Sequence, residues 1–106
     1  MIKEVIILTE SHLKIIEKFG PELFKNVEAT QTLVLGDGAL SRKVKLLMAM
    51  ALDASHGTVE GVRSLTQQAM RAGATNEEIM ETLRVAQYIS GVGCVYTAAH
   101  AFKDLF

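Results

Sequence analysis

The seven residues Leu46 to Leu52, LLMAMAL, contain no charge and no hydrogen-bonding side chain. They sit within SRKVKLLMAMALDA (41–54), a segment that reads as helix, with Ser41 as its cap. A helix that is apolar on every side must be buried on every side. The segment is therefore the central element of whatever this chain folds into. A chain of 106 residues holds material for one core, not two. Such a core rarely surrounds a whole helix, so part of this one is expected to lie against another subunit. Met48 and Met50 are assigned to core or interface, and could also line an adaptable apolar pocket.

The flanking sequence supplies further helices. In TESHLKIIEKFG (9–20), Leu13, Ile15, Ile16 and Phe19 form a helical stripe, and Gly20 suits a stop. Pro21 suits the first position of PELFKNVEATQTLVL (21–35), and GDGAL is the clearest loop. VEGVRSLTQQAMRAG (59–73) resumes the helical pattern and closes at Gly73. Thr75 with Glu78 forms a capping box, and Glu77 and Glu78 favour the positive end of NEEIMETLRVAQYIS (76–90), whose Ile79, Leu83, Ala86 and Ile89 share a face. Gly91 and Gly93 break that helix, and CVYTAAHAFKDLF makes a last one. The prediction is a single all-α domain over residues 1–106, of about six helices, with strand plausible only at Val5 to Leu8.

Composition excludes several functions. A net charge of −1 gives no electrostatic case for nucleic acid. One cysteine excludes an internal disulfide framework. The start MIKEVIIL is interrupted by Glu4 and too short for a signal segment, and no apolar run approaches a membrane span. A cytoplasmic protein is the expectation. No three histidines or carboxylates show metal-ligand spacing.

The stretch KVKLLMAMALDASHGTVEGVRSLTQQAMRAGATNEEIMETLRVAQYISG resembles the core of the carboxymuconolactone decarboxylase family, which includes the AhpD-like alkylhydroperoxidases. The resemblance rests on a Lys-x-Lys helix start, an alanine-rich buried helix and a second helix running into GATNEEI. An amphipathic helix then meets a Gly-rich break. PELF and the alanine-rich last helix also fit, so residues 20 to 103 are covered. The resemblance implies an all-α fold oligomerising through its helices into trimers or hexamers, with no organic or metal cofactor. It also implies peroxidase-type antioxidant activity or decarboxylation.

In the AhpD-like branch the chemistry lies in a Cys-x-x-Cys pair, with a glutamate one helix earlier and a histidine four positions after the second cysteine. A helix N-terminus lowers a thiol pKa, and the glutamate and histidine move its proton. Counted back from Gly73, these positions fall on Thr58 and Gly61 for the cysteines, Leu65 for the histidine and Leu46 for the glutamate. The decarboxylase branch's histidine also corresponds to Leu65. This chain is thus a divergent member of the pattern, lacking all four groups.

Other residues remain as candidates. His56, in LDASHGTVEG, can serve as an acid–base group, with Asp53 one turn before it and Glu60 four residues after it to fix its tautomer. It can equally be a helix-end residue facing the last carbonyls. Thr58 offers a hydroxyl where a thiol would stand, or an N-cap. Cys94, the only thiol, is either a peroxidatic group near a helix start or a small buried hydrophobe. Tyr88 and Tyr96 are read as packing groups with wet hydroxyls, and His12 as solvated. Three functions follow. They are peroxide or oxygen detoxification, a non-redox lyase or isomerase acting on a small carboxylate with His56 as base, and a catalytically silent oligomer that binds a small molecule or protein.

Overall fold

A computed structural model describes residues 13–106. The Val5–Leu8 strand, the beginning of the first helix and His12 lie outside the described residues. Within them the chain is helical and without strands: α1 (13–19), α2 (Pro21–Leu35), α3 (Arg42–Ser55), α4 (Val59–Arg71), α5 (Asn76–Ser90) and α6 (Gly93–Phe102).

Each boundary has a local cause. Pro21 takes the first turn of α2 after Gly20. The Ser41 hydroxyl accepts the Val44 amide at 3.2 Å to start α3. Asp37 Oδ1 accepts the Arg42 amide at 2.8 Å. No basic residue stands in the last turn of α2, so α3 supplies the cations. Lys45 Nζ reaches the Gly36 carbonyl at 2.6 Å and Arg42 Nη1 the Leu35 carbonyl at 3.1 Å. At α5 the capping box is complete, with Glu78 N donating to Thr75 Oγ1 at 3.1 Å and Thr75 N to Glu78 Oε1 at 2.9 Å. The Glu78 carboxylate also accepts Lys43 Nζ at 2.9 Å, which ties the start of α5 to α3.

The helix α3 packs against α4, α5 and α6, the central place its sequence requires. Leu46 and Met50 are fully buried there, beside Val62 from α4, Ile79 and Leu83 from α5, and Ala98 and Ala101 from α6. Each large side chain removed from water in this way contributes about 1.5–3 kcal/mol. Gln68 is buried as well. Its Nε2 donates to Ser64 Oγ at 3.0 Å, and its Oε1 accepts Arg42 Nη2 at 3.5 Å.

The single subunit leaves part of α3 open, as a core this small requires, and two other expectations about packing change. The apolar run of α3 is not enclosed all round: Met48 is 50 % exposed and Leu52 60 %, on the stripe that starts at Val44. Ile89 leaves the buried face of α5, because ten residues after Ile79 the helix has turned it away from Leu83 and Ala86. Tyr88 and Tyr96 point their rings, and not only their hydroxyls, to the surface. Ile15 and Phe19 of α1 are exposed too, and α2 contributes no buried residue at all.

Candidate functional site

The turn between α3 and α4 is built by the backbone of SHGT. Gly57 has φ +76°, a left-handed conformation that suits glycine. The Thr58 amide donates to the Asp53 carbonyl at 2.9 Å and the Gly57 amide to the Ala54 carbonyl at 3.2 Å. This pair of bonds is a Schellman motif, with His56 at the C-cap. The same motif ends α4 at Gly73, where Ala74 N bonds Ala69 O at 2.9 Å. His56 is therefore a helix-end residue in its backbone, and its amide meets the carbonyls of Leu52 and Asp53 at 3.1 and 3.2 Å. Its side chain is exposed.

Asp53, one turn earlier, points toward α4. Its carboxyl occupies the space beside Gly61 so closely that a Cβ on Gly61 would lie 2.8 Å from Asp53 Cγ. A side chain on Gly61 would force that carboxyl to shift. Asp53 is half-buried and receives no hydrogen bond from the described residues. Burial pushes its pKa above the ordinary carboxylate value, and the nearby charge of His56 pulls it part of the way back. Glu60 is exposed, and its charge acts on Arg63. The candidate carboxyl on which the charge of His56 acts is thus Asp53. Thr58 holds the N-cap position of α4 without a side-chain cap bond, and its methyl carbon would stand 3.1 Å from a Cβ on Gly61.

The other candidates lie elsewhere. Leu46 is 0 % exposed in the core, and Leu65 packs against the core from α4, so both positions are apolar. Cys94 is 3 % exposed, at the start of α6 and inside the same core. Among the described residues no three His, Cys, Asp or Glu side chains converge as a metal site, and no helix is long and apolar enough to cross a membrane.

Sequence reasoning passed over two polar atoms on α4. Thr66 is fully buried, and neither its Oγ1 nor the buried Nε of Arg63 has a hydrogen-bond partner among the described residues. Arg63 Nη1 pairs with Asp104 at 2.7 Å, which joins α4 to the chain beyond α6. Only the i, i+4 spacing of Thr66 from Val62 on the buried face could have flagged it.

The comparisons agree with this architecture. The sequence pattern of the Carboxymuconolactone decarboxylase family matches residues 21–104, and the chain belongs to that family. The fold is similar to the crystal structure of an apo carboxymuconolactone decarboxylase family protein from Legionella pneumophila. The TM-score is 0.83 at 29 % identity, covering 96 % of this chain and 91 % of that one. An uncharacterized protein of Methanocaldococcus jannaschii is 27 % identical over 93 residues, which span 88 % of this chain and 87 % of that protein.

Proposed function

We propose that this chain is a non-redox member of its family, a lyase or isomerase that moves a proton on a small carboxylate at the α3–α4 turn. One observation carries the reading: a half-buried carboxyl, Asp53, without a hydrogen bond from the described residues and seated on Gly61 beside His56. Keeping a carboxyl in such a place costs stability, and perturbed carboxyls of this kind gather at functional sites. The substrate class comes from the family to which the chain belongs. In this reading His56 takes the substrate proton and returns it to the product, so no oxidant is consumed. Asp53 stabilises the imidazolium formed between the two steps. The peroxide route would have to use Cys94, which the core covers.

Assembly belongs to the same proposal. Leu33, Tyr88, Ile89 and Phe19 are each at least 75 % exposed in the single subunit. Burying such surface between copies favours association, and a trimer or hexamer is the form proposed. A cytoplasmic location is proposed alongside, supported by the free thiol of Cys94.

The test is turnover of a panel of small lactone and hydroxy carboxylates, followed by proton NMR in deuterated water. His56→Ala and Asp53→Asn are each expected to lower the rate by about 10²–10⁴-fold, the usual contribution of a positioned acid–base group. Rates equal to wild type in both variants would remove the site. No turnover by any form, with intact assembly, would favour a silent binding protein.

A further inference from the structure

Two helix faces in this chain are exposed, carry opposite charge and lack ionic partners among the described residues. On α1, Lys14 and Lys18 stand one turn apart on one line, with Ile15 (61 % exposed) and Phe19 (75 %) on the line beside it. Lys18 Nζ lies 5.4 Å from the Phe19 ring centroid, so the cation and the ring form one surface. Glu17 stands one turn from Lys14, on the side away from Phe19, so this face keeps one positive charge in excess. On α5, Glu77 and Glu81 stand one turn apart in the same way, and Tyr88 continues their line. Met80 flanks them on one side and Val85 on the other, both exposed. Glu78 lies at the Val85 edge of this face and is committed to Thr75 and Lys43. Neither Glu77 nor Glu81 forms an ion pair with the described residues, and Arg84 one turn on leaves this face with one negative charge in excess.

Like charges at i and i+4 destabilise a lone helix. This chain has two such pairs of opposite sign, each bordered by exposed apolar side chains. A ridge of Lys, Ile, Lys and Phe complements a ridge of Glu, Met, Glu and Val in both charge and hydrophobic character.

We propose that the α1 face of Lys14, Ile15, Lys18 and Phe19 in one copy docks on the α5 face of Glu77, Met80, Glu81 and Val85 in the next. The occupant of each face is thus a second copy of this chain. The contact is head-to-tail, since each copy presents a donor face and an acceptor face, and such contacts form a ring where the rotation between copies closes. The inference rests on the assembly reading given above and names the surface responsible for it.

Charge reversal with recombination tests it. The variants K14E/K18E and E77K/E81K are purified separately, checked for unchanged helicity by circular dichroism, and weighed by analytical ultracentrifugation alone and mixed. Each variant alone is expected to dissociate with a constant raised roughly tenfold or more, as expected when like charges meet across an interface. Mixing the two should raise the mass above that of either variant alone, because the acidic α1 of one chain then meets the basic α5 of the other, while a ring with an odd number of copies keeps one like-charged contact. Docking of α1 on its own α5 could not be rescued by mixing. A single-subunit mass for the wild type would overturn the assembly reading and this inference together. An assembled wild type whose mass and dissociation constant survive both reversals, or variants that fail to recombine, would overturn the interface alone.

Discussion

Asp53 and Gly61 act as one unit, because the carboxyl of the first fills the volume where a side chain on the second would begin. The arrangement takes a carboxyl partly out of water without a hydrogen bond from the described residues, and its pKa rises accordingly. A carboxyl held above its unfolded value binds its proton more tightly in the folded chain. Its penalty is absent below the unfolded pKa and grows as pH rises through the folded pKa. Glu78 and Asp104 behave in the opposite sense. The Lys43 and Arg63 hydrogen bonds hold their carboxyls below the ordinary range, so their stabilisation is present above the unfolded pKa and fades as pH falls through the folded one. Asp53→Asn keeps the shape and removes the charge. Scanning calorimetry should therefore give this variant a higher Tm than wild type at about pH 7, with the gap closing at about pH 3. A Tm that drops at neutral pH would mean that the ionised carboxyl contributes to stability. The influence of the His56 charge on Asp53 follows from their one-turn spacing, although no hydrogen bond or ion pair joins them among the described residues. The contact with Gly61 was not legible in the sequence, because it depends on how α4 crosses α3.

At the scale of elements, the turns were the most legible part of the chain. Ser41, Pro21, Thr75 with Glu78, and the glycines at 73 and 91 act where their chemistry places them, since caps and left-handed turns are local events. His56 shows the limit of that legibility. Sequence alone left it between a catalytic base and a helix end, and the backbone makes it the C-cap of a Schellman motif while leaving its ring exposed. These roles are compatible, because the motif uses the amide and not the imidazole. Gly57 carries the strain of the turn, and nothing within 4 Å would obstruct a Cβ there. Gly57→Ala should therefore cost about 1 kcal/mol through the positive φ alone, read as a lower urea midpoint with unchanged m-value. A neutral substitution would show that the turn relaxes to another conformation.

For the whole molecule, the apolar run of α3 located the centre of the fold before any contact was known. Leu46, Met50 and Ala54 form its buried side, against three other helices. What the run could not specify is which of its sides a single subunit covers. Val44, Met48 and Leu52 remain open, as do Val85 and Ile89 on α5. Hydrophobicity marks a side chain for burial without saying whether its own chain or a neighbour does the burying. The same limit applies to Tyr88 and Tyr96, read as packing groups and exposed in the single subunit. The family's reactive positions follow a similar logic. With Leu46 and Leu65 in apolar surroundings, the polar side chains against Gly61 are Asp53, from the end of α3, and Thr58.

The central claim is that Asp53 and His56 form a coupled acid–base pair at that turn. Carbon-13 NMR titration of the Asp53 carboxyl in the folded protein tests it most directly, in wild type and in His56→Ala. The expected result is a midpoint above the ordinary carboxylate value that climbs further in the variant, because the cation that pulled it down is gone. A midpoint at or below the ordinary value, unmoved by the loss of His56, would contradict the claim.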